Sequence, residues 1–159
     1  MIFEKANIND LSALIKLRTA YLLEDYGKLS DEKLTLISDN LGTYFKEHLN
    51  KDLIVFVCRD TEIISCCFLC VIEKPSSPTF INGRTGTILN VYTKPEYRRK
   101  GIAKKLLEML IAESEEMGLD FVELKATDLG YSLYKSIGFE DVVQKYHNMK
   151  YIINPSNKM

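Results

Sequence analysis

The spacing of apolar residues changes along the chain and predicts where its helices and strands lie. Residues 2–6 alternate as a short first strand. Two helical patterns follow at about 9–25 and 30–50, where Asn9 and Ser30 are candidate caps. Residues 53–59 and 63–72 are then β-rich and separated by a turn. The second of these runs is apolar on both faces, which is typical of a central strand.

The second half of the chain alternates between strands and helices. We predict a strand at 87–93, a helix at 102–117 ended by Gly118, a strand at 121–125 and a short helix at 129–136. A closing hairpin is predicted from residues 139–143 and 146–153. The element order is β-α-α-β-β-β-α-β-α-β-β.

This order indicates a single mixed α/β (α+β) domain. Its sheet would be twisted and mostly antiparallel, with about six to seven strands flanked by about four helices. We assign residues 1–153 to the domain and residues 154–159 to a polar C-terminal tail.

Composition narrows the classes of function. The formal net charge of −1 argues against nucleic-acid binding, which usually needs a broad basic face. No apolar run is long enough to span a membrane, and the N-terminus does not resemble a signal peptide. The four cysteines lie in strand-like runs, where Cys67 and Cys70 would point to opposite faces and hold no metal. We therefore expect reduced thiols, a cytoplasmic protein and no metal.

Basic residues crowd the start of the helix predicted at 102–117. Positive charge is unfavourable there by a few tenths to about 1 kcal/mol per cation, unless an anion is bound. Free backbone N–H groups and Gly101 make the same position a candidate phosphate site. Neither a P-loop nor a dinucleotide-binding glycine motif is present. The alternative is that these basic residues bind nothing and are simply solvated at the start of the helix. The basic residues are Arg98, Arg99, Lys100, Lys104 and Lys105.

Two blocks of sequence carry a family resemblance. Residues 90–103 resemble the acyl-CoA motif of the GNAT superfamily of N-acetyltransferases, whose core [Q/R]-x-x-G-x-[G/A] is matched by Arg98, Gly101 and Ala103. Residues 126–139 resemble the family's L-Y-x-x-x-G-F segment at the expected distance. Together the blocks span about 86–140 and identify the chain as similar to acetyl-CoA-dependent acetyltransferases.

The resemblance implies a site for acetyl-CoA as co-substrate. The loop would hold the pyrophosphate, and the strand before it would splay near a bulge and pair with the pantetheine arm. A backbone N–H near Val91 would stabilise the oxyanion, and Tyr134 would be the general acid. The implied acetyl-CoA-binding residues are Val91, Tyr92, Thr93, Arg98, Arg99, Lys100, Gly101, Ile102, Ala103, Lys104, Thr127, Tyr131 and Tyr134.

The acceptor side is less defined. Many family members place a glutamate on the strand matching 86–89, whereas this stretch carries no carboxylate. Glu24, Asp25 and Tyr26 could attract a cationic amine, although charges at a helix end are more often simply solvated. Arg18, inside the first helix, would suit a carboxylate-bearing acceptor, but one arginine on a polar stripe carries little weight.

Three functions fit these patterns. The first is transfer of the acetyl group to a primary amine of a small molecule, by direct attack in a ternary complex. The second is transfer to a peptide or protein amine, and the third is a non-catalytic acyl-CoA sensor of the same fold. A homodimer is compatible with each of them.

Overall fold

In a computed structural model, which describes residues 1–157, five strands form one sheet in chain order. The first four strands run antiparallel to their neighbours, whereas the fifth joins the fourth in parallel. The central position predicted for the third strand is confirmed, because it pairs on both sides. The strands are β1 (Ile2–Lys5), β2 (Leu53–Arg59), β3 (Ile63–Glu73), β4 (Arg84–Thr93) and β5 (Val122–Glu123).

Four α-helices cover the two faces of this sheet. One face packs against the first two helices around Leu14 and Phe45, and the other packs against the last two around Leu106 and Leu110. The alternation of β2 side chains between these two cores explains why residues 53–58 are all buried. The helices are α1 (Leu11–Tyr26), α2 (Asp31–His48), α3 (Ile102–Glu116) and α4 (Asp128–Ile137).

Of the two predicted helix caps, Ser30 is confirmed and Asn9 is wrong. The Ser30 hydroxyl accepts a hydrogen bond from the Lys33 amide and caps α2. Asn9 is not a cap, which corrects the prediction. Asn7 caps instead, because its side chain accepts from the Asn9 amide and starts a short 3-10 turn ahead of α1.

The predicted closing hairpin is wrong. No strand forms between residues 139 and 153, so the sheet has five strands instead of six to seven. Asp141 accepts hydrogen bonds from Tyr131 at 2.7 Å and Lys135 at 3.3 Å, which holds the chain beside α4. At the sheet edge, β5 is only two residues long and offers little backbone for another strand.

The C-terminal residues contribute one further element. A short 3-10 turn covers Pro155–Asn157. Of the polar tail predicted at 154–159, residues 158 and 159 lie outside the described residues. Among residues 1–157, no helix has the length and apolar character needed to cross a bilayer.

The cysteines divide between the two cores. Cys67 lies in the core under α3 and α4, whereas Cys70 packs against the core under α1 and α2. The prediction that they point to opposite faces is therefore confirmed. The thiols are free, and residues 1–157 contain no cluster of three metal-ligating side chains.

Candidate functional site: a bulged strand, an amide-rich loop and a cavity

A β-bulge interrupts β4 next to the centre of the sheet. The pairing of β3 with β4 shifts register between Cys66 and Phe68, where Tyr92 and Leu89 are their respective partners. Asn90 takes the left-handed conformation there, with φ of +51°, which asparagine tolerates better than most residues. The bulge expected near this position is therefore present.

Beyond the bulge, β4 and β5 separate. Their parallel pairing is limited to Gly86 with Val122 and Thr87 with Glu123. In the described chain no strand pairs with the later part of this β4 edge, so its backbone is available to a ligand. Gly86 itself is closely packed, because a Cβ there would lie 2.5 Å from the Leu69 Cδ1 on β3 and 3.0 Å from the Val122 Cγ1 on β5.

The loop between β4 and α3 presents backbone amides that the chain does not use. The amides of Tyr97 and Arg98 donate to carbonyls of a short 3-10 turn. From residue 99 to residue 104, no acceptor in the described chain meets a backbone N–H. The first helical bond runs from the Lys105 amide to the Gly101 carbonyl. These are donors suited to an anion.

Two left-handed residues shape this loop. Arg99 has φ of +63° and Gly101 has φ of +76°. Such alternation turns successive N–H groups toward one side, which is how backbone anion sites are built. A Cβ on Gly101 would meet no atom within 4 Å, so the space in front of the α3 N-terminus is open. The loop residues therefore fit the diphosphate of acetyl-CoA.

The positive charges of the loop are not equivalent. Arg98 donates from Nε to the Thr93 carbonyl at 2.8 Å and from its terminal nitrogen to Glu24 Oε2 at 2.6 Å. It therefore ties the loop to the end of α1. The remaining cations of the loop have no acidic partner among residues 1–157, which leaves their charge for an anion. They are Arg99, Lys100, Lys104 and Lys105.

Several predicted acetyl-CoA residues have side chains that serve the fold. Tyr92 is buried and packs edge-to-face with Tyr21, with ring centroids 6.5 Å apart. The Thr93 hydroxyl lies 2.7 Å from that of Ser65. The side chains of Tyr92 and Thr93 are therefore engaged within the protein. The side chain of Ile102 is in the core, while those of Val91 and Ala103 are half-buried.

Tyr134 lies on α4 and is half-buried against the α3 core. Its ring meets Phe139 edge-to-face at 5.9 Å. Burial raises the pKa of Tyr134 to about 12, and the nearby Cys67 thiol and Tyr21 ring add to the increase. The phenol is therefore neutral at physiological pH and able to donate a hydrogen bond.

Gly130 sets the space in which the Tyr134 ring lies. A Cβ on Gly130 would be 2.8 Å from the Tyr134 Cε2, well inside van der Waals contact. Thr127 caps the same helix by accepting a hydrogen bond from the Gly130 amide. Tyr131, one residue further on, donates its hydroxyl to Asp141. In this structure Thr127 and Tyr131 hold α4 and the segment after it.

A cavity of about 610 Å³ lies between α1 and α2. Its volume is in the usual range for small-molecule sites, roughly 300–1,000 Å³. Aliphatic and tyrosine side chains form most of the wall, and the C-terminal turn completes it. The lining residues are Arg18, Leu22, Tyr26, Leu29, Lys33, Ile37, Asn40, Leu41, Tyr44, Ser156 and Asn157.

The three residues predicted to hold the acceptor do not come together. Tyr26 lines the cavity, whereas Glu24 and Asp25 do not. The Glu24 carboxylate is instead engaged by Arg98 at 2.6 Å. Its charge is therefore offset within the protein.

The sequence interpretation did not identify Asn90 as a site residue. Its side chain is 4% exposed, donates to the Cys66 sulfur at 3.2 Å and accepts from Arg18 at 3.3 Å. It thus connects the bulge to the cavity. The available signal was an asparagine inside an otherwise apolar strand, where a buried amide needs partners.

Comparison with known proteins gives one consistent family. The sequence model of the acetyltransferase (GNAT) family matches residues 13–139. A predicted acetyltransferase from Clostridium acetobutylicum, solved with acetyl-CoA, superposes with a TM-score of 0.83 at 29% identity, over 94% of this chain and 95% of the other. A GCN5-related N-acetyltransferase from Ralstonia eutropha has a TM-score of 0.78 at 25% identity, over 93% and 97% of the two chains.

A curated relative matches over a shorter stretch. The [ribosomal protein bS18]-alanine N-acetyltransferase of Escherichia coli is 36% identical over 58 residues, which are 35% of this chain and 39% of the relative. The match thus spans well under half of either protein.

Proposed function

Because this chain belongs to the GNAT family of acetyltransferases and is an acyltransferase, we propose that it transfers the acetyl group of acetyl-CoA to a primary amine of a small molecule. The transfer takes place by direct attack in a ternary complex. The observation that carries the proposal is the row of unused amides at 99–104, beside the open and bulged edge of β4.

The donor is held mainly by backbone. The amides of 99–104 and the N-terminus of α3 bind the diphosphate, and the unpaired basic side chains add positive potential. The β4 backbone at Val91, Tyr92 and Thr93 lies beyond the part of the edge that β5 covers, and it pairs with the pantetheine amides. Acetyl-CoA, when bound, supplies an acetyl thioester; no metal is needed for this chemistry.

The chain's own groups then act on the reacting atoms. The backbone N–H near Val91 stabilises the negative charge that develops on the carbonyl oxygen. As the nitrogen–carbon bond forms and the carbon–sulfur bond breaks, Tyr134 donates its hydroxyl hydrogen bond to the leaving sulfur. With a pKa of about 12 for Tyr134, full proton transfer to a thiolate with a conjugate-acid pKa near about 8.5 is uphill. Hydrogen-bond donation is therefore its main contribution.

The proton released by the amine leaves to water. Residues 86–89 carry no carboxylate, and Glu24 is engaged by Arg98. The thiolate leaves hydrogen-bonded to Tyr134 and is then protonated by water, so the proton that the nitrogen loses is matched by the one that the sulfur gains. The amine must be neutral to attack, and the rate is therefore expected to rise with pH until the acceptor is deprotonated.

A protein amine is the second candidate acceptor. It is supported by the similarity of a 58-residue stretch to a ribosomal-protein alanine N-acetyltransferase. The cavity between α1 and α2, with a volume of about 610 Å³, favours a small molecule over a polypeptide.

Release of thiol from acetyl-CoA, with mass spectrometry of the product, tests the proposal. The panel contains small primary amines and a peptide that begins with alanine, and hydrolysis without an amine is the baseline. Acetylation of a small amine above this baseline supports the proposal. Acetylation of the peptide alone favours the second candidate, and tight acetyl-CoA binding without any turnover would indicate a sensor.

A further inference from the structure

The cavity between α1 and α2 has an unusual charge pattern for a site that receives an amine. Its lining contains two cations, Arg18 and Lys33, and none of the described lining residues is acidic. Neither cation forms an ion pair within residues 1–157. A cationic amine would be repelled by this wall unless the same molecule also carried negative charge.

Arg18 is placed between the cavity and the bulge. Its terminal nitrogen donates to Asn90 Oδ1 at 3.3 Å, and its guanidinium lies over the Tyr21 ring at 5.6 Å. A guanidinium has five N–H donors, and the Asn90 bond is its single hydrogen bond to the described chain. The remaining donors form a fork that fits a carboxylate.

The other lining residues of the cavity suit an apolar group instead of a carboxylate. Leu22, Ile37 and Leu41 are aliphatic, and they face a space larger than a carboxylate needs. An acceptor that fills the cavity therefore combines a carboxylate for Arg18 with an apolar group for this wall.

We propose that the acceptor is an α-amino acid with an apolar side chain, whose carboxylate is bound by Arg18. The inference rests on the proposed function, because the amine has to reach the acetyl group beside Val91. Arg18 contacts Asn90, the residue before Val91, so a carboxylate on Arg18 brings the adjacent amine toward the bulge. Lys33 adds positive potential from the start of α2.

Matched substrate pairs test this assignment. L-leucine and L-phenylalanine are each compared with their amides, which keep the amine and the side chain but lack the carboxylate. The measured quantity is the ratio of kcat/KM for acid over amide. Amine basicity differs within each pair, so this ratio is compared between the wild-type protein and its variants, where that difference cancels.

We expect Arg18→Gln to reduce the acid-over-amide ratio roughly ten- to hundredfold, the usual value of a hydrogen bond to a charged group. Arg18→Lys should retain part of the preference. Lys16→Gln removes an exposed cation from the same helix that does not line the cavity, and should leave the ratio unchanged. Retained turnover of the amide shows that the variant is folded. An acid preference that survives Arg18→Gln, or its absence in the wild type, would overturn the proposal.

A binding measurement separates this inference from the proposed function. Titration calorimetry with N-acetyl-L-phenylalanine and with N-acetylphenethylamine requires no turnover. If no amine is acetylated, the proposed function fails, but Arg18-dependent preference for the carboxylate ligand still supports the cavity assignment. Equal binding of the two ligands contradicts it.

Discussion

The donor side and the acceptor side of this protein are built from different materials. Residues 94–105 offer mainly backbone amides, arranged by two left-handed residues at the start of α3. The cavity between α1 and α2 is formed by side chains from both helices and the C-terminal turn. Backbone N–H groups remain when a side chain is substituted, whereas each substitution in the wall of the cavity changes its shape or charge. Binding of acetyl-CoA can thus be retained while the specificity for the acceptor changes.

Three contacts join the two sides. Arg98 reaches Glu24 across 2.6 Å, Arg18 reaches Asn90 across 3.3 Å, and the rings of Tyr21 and Tyr92 pack edge-to-face. Each contact links α1 to β4 or to the loop that follows it. Substitutions in this small region should therefore show which effects belong to the donor, which to the acceptor and which to the junction.

The largest effect on kcat is expected at Tyr134, which acts as the acetyl group passes from acetyl-CoA to the acceptor. Tyr134→Phe keeps the ring and its packing on Phe139 but removes the hydroxyl. Loss of the hydrogen bond to the leaving sulfur should lower kcat by roughly 10²- to 10³-fold, as for other preorganised donors to a developing negative charge. Steady-state kinetics and acetyl-CoA titration would measure this, with acetyl-CoA affinity nearly unchanged. Tyr151→Phe, at an exposed tyrosine, is the control, and equal kcat in both variants would remove the role of Tyr134.

The next largest effect isolates the donor side. Gly101→Glu places a carboxylate before α3, and we expect acetyl-CoA to bind roughly a hundredfold more weakly because like charges are brought together. A Cβ there meets nothing within 4 Å, so a steric clash inside the protein is not the cause. Calorimetric titration of acetyl-CoA is the measurement.

Gly118→Glu is the matched control for that substitution. Gly118 follows the other end of α3, has φ of +66° and is equally open, so it carries a similar backbone cost. Its acetyl-CoA affinity should remain at the wild-type value. If both variants lose affinity equally, backbone strain and not charge explains the loss, and the diphosphate assignment fails.

A smaller effect is expected where the fold positions the catalytic group. Gly130→Ala puts a Cβ 2.8 Å from the Tyr134 ring, which has to move. We expect kcat to fall roughly tenfold through misplacement of the hydroxyl. Acetyl-CoA affinity should change much less than kcat.

Gly42→Ala is its control in α2, where the new Cβ would lie at an ordinary 3.8 Å from Ile15. Alanine favours helix formation by roughly 0.5–1 kcal/mol over glycine, so this variant should be slightly more stable in thermal unfolding. Its kcat should not change. A wild-type kcat in Gly130→Ala would show that Tyr134 has room to relax.

The same contrast explains what sequence could predict. The donor loop is contiguous, so its cations, Gly101 and the start of α3 were visible as one motif, and Ser30 was recognised as a cap because its partner is three residues away. The missed features depend on distant residues. The contact of Arg18 with Asn90 spans 72 positions, and that of Glu24 with Arg98 spans 74.

The closing hairpin failed for a related reason. An alternating pattern indicates that a segment is able to form a strand, but pairing also requires an available edge. Here β5 offers two residues, and Asp141 is held by Tyr131 on α4. Neither fact is encoded in the pattern of residues 139–153. The segment has the propensity to form a strand but no neighbouring strand with which to pair.

The smallest effect is expected at the junction between the two sides. Glu24→Gln removes the charge that faces Arg98, in a pair whose side chains are 44% and 37% exposed. Exposed ion pairs contribute about 0–1 kcal/mol, so the free energy of unfolding should fall by less than about 1 kcal/mol. Chemical denaturation of this variant, of Arg98→Gln and of the double variant would give the coupling energy directly.

The kinetics of Glu24→Gln decide what this carboxylate is for. If Glu24 only orients Arg98, the KM for the acceptor stays constant while the KM for acetyl-CoA rises slightly, because the loop is less well held. If Glu24 binds the amine directly, the KM for the acceptor rises by itself and the KM for acetyl-CoA does not change. Asp25→Gln, at the adjacent residue that neither lines the cavity nor forms an ion pair in the described chain, is the control and should alter neither. Because Arg98 already offsets the Glu24 charge, we expect the first result.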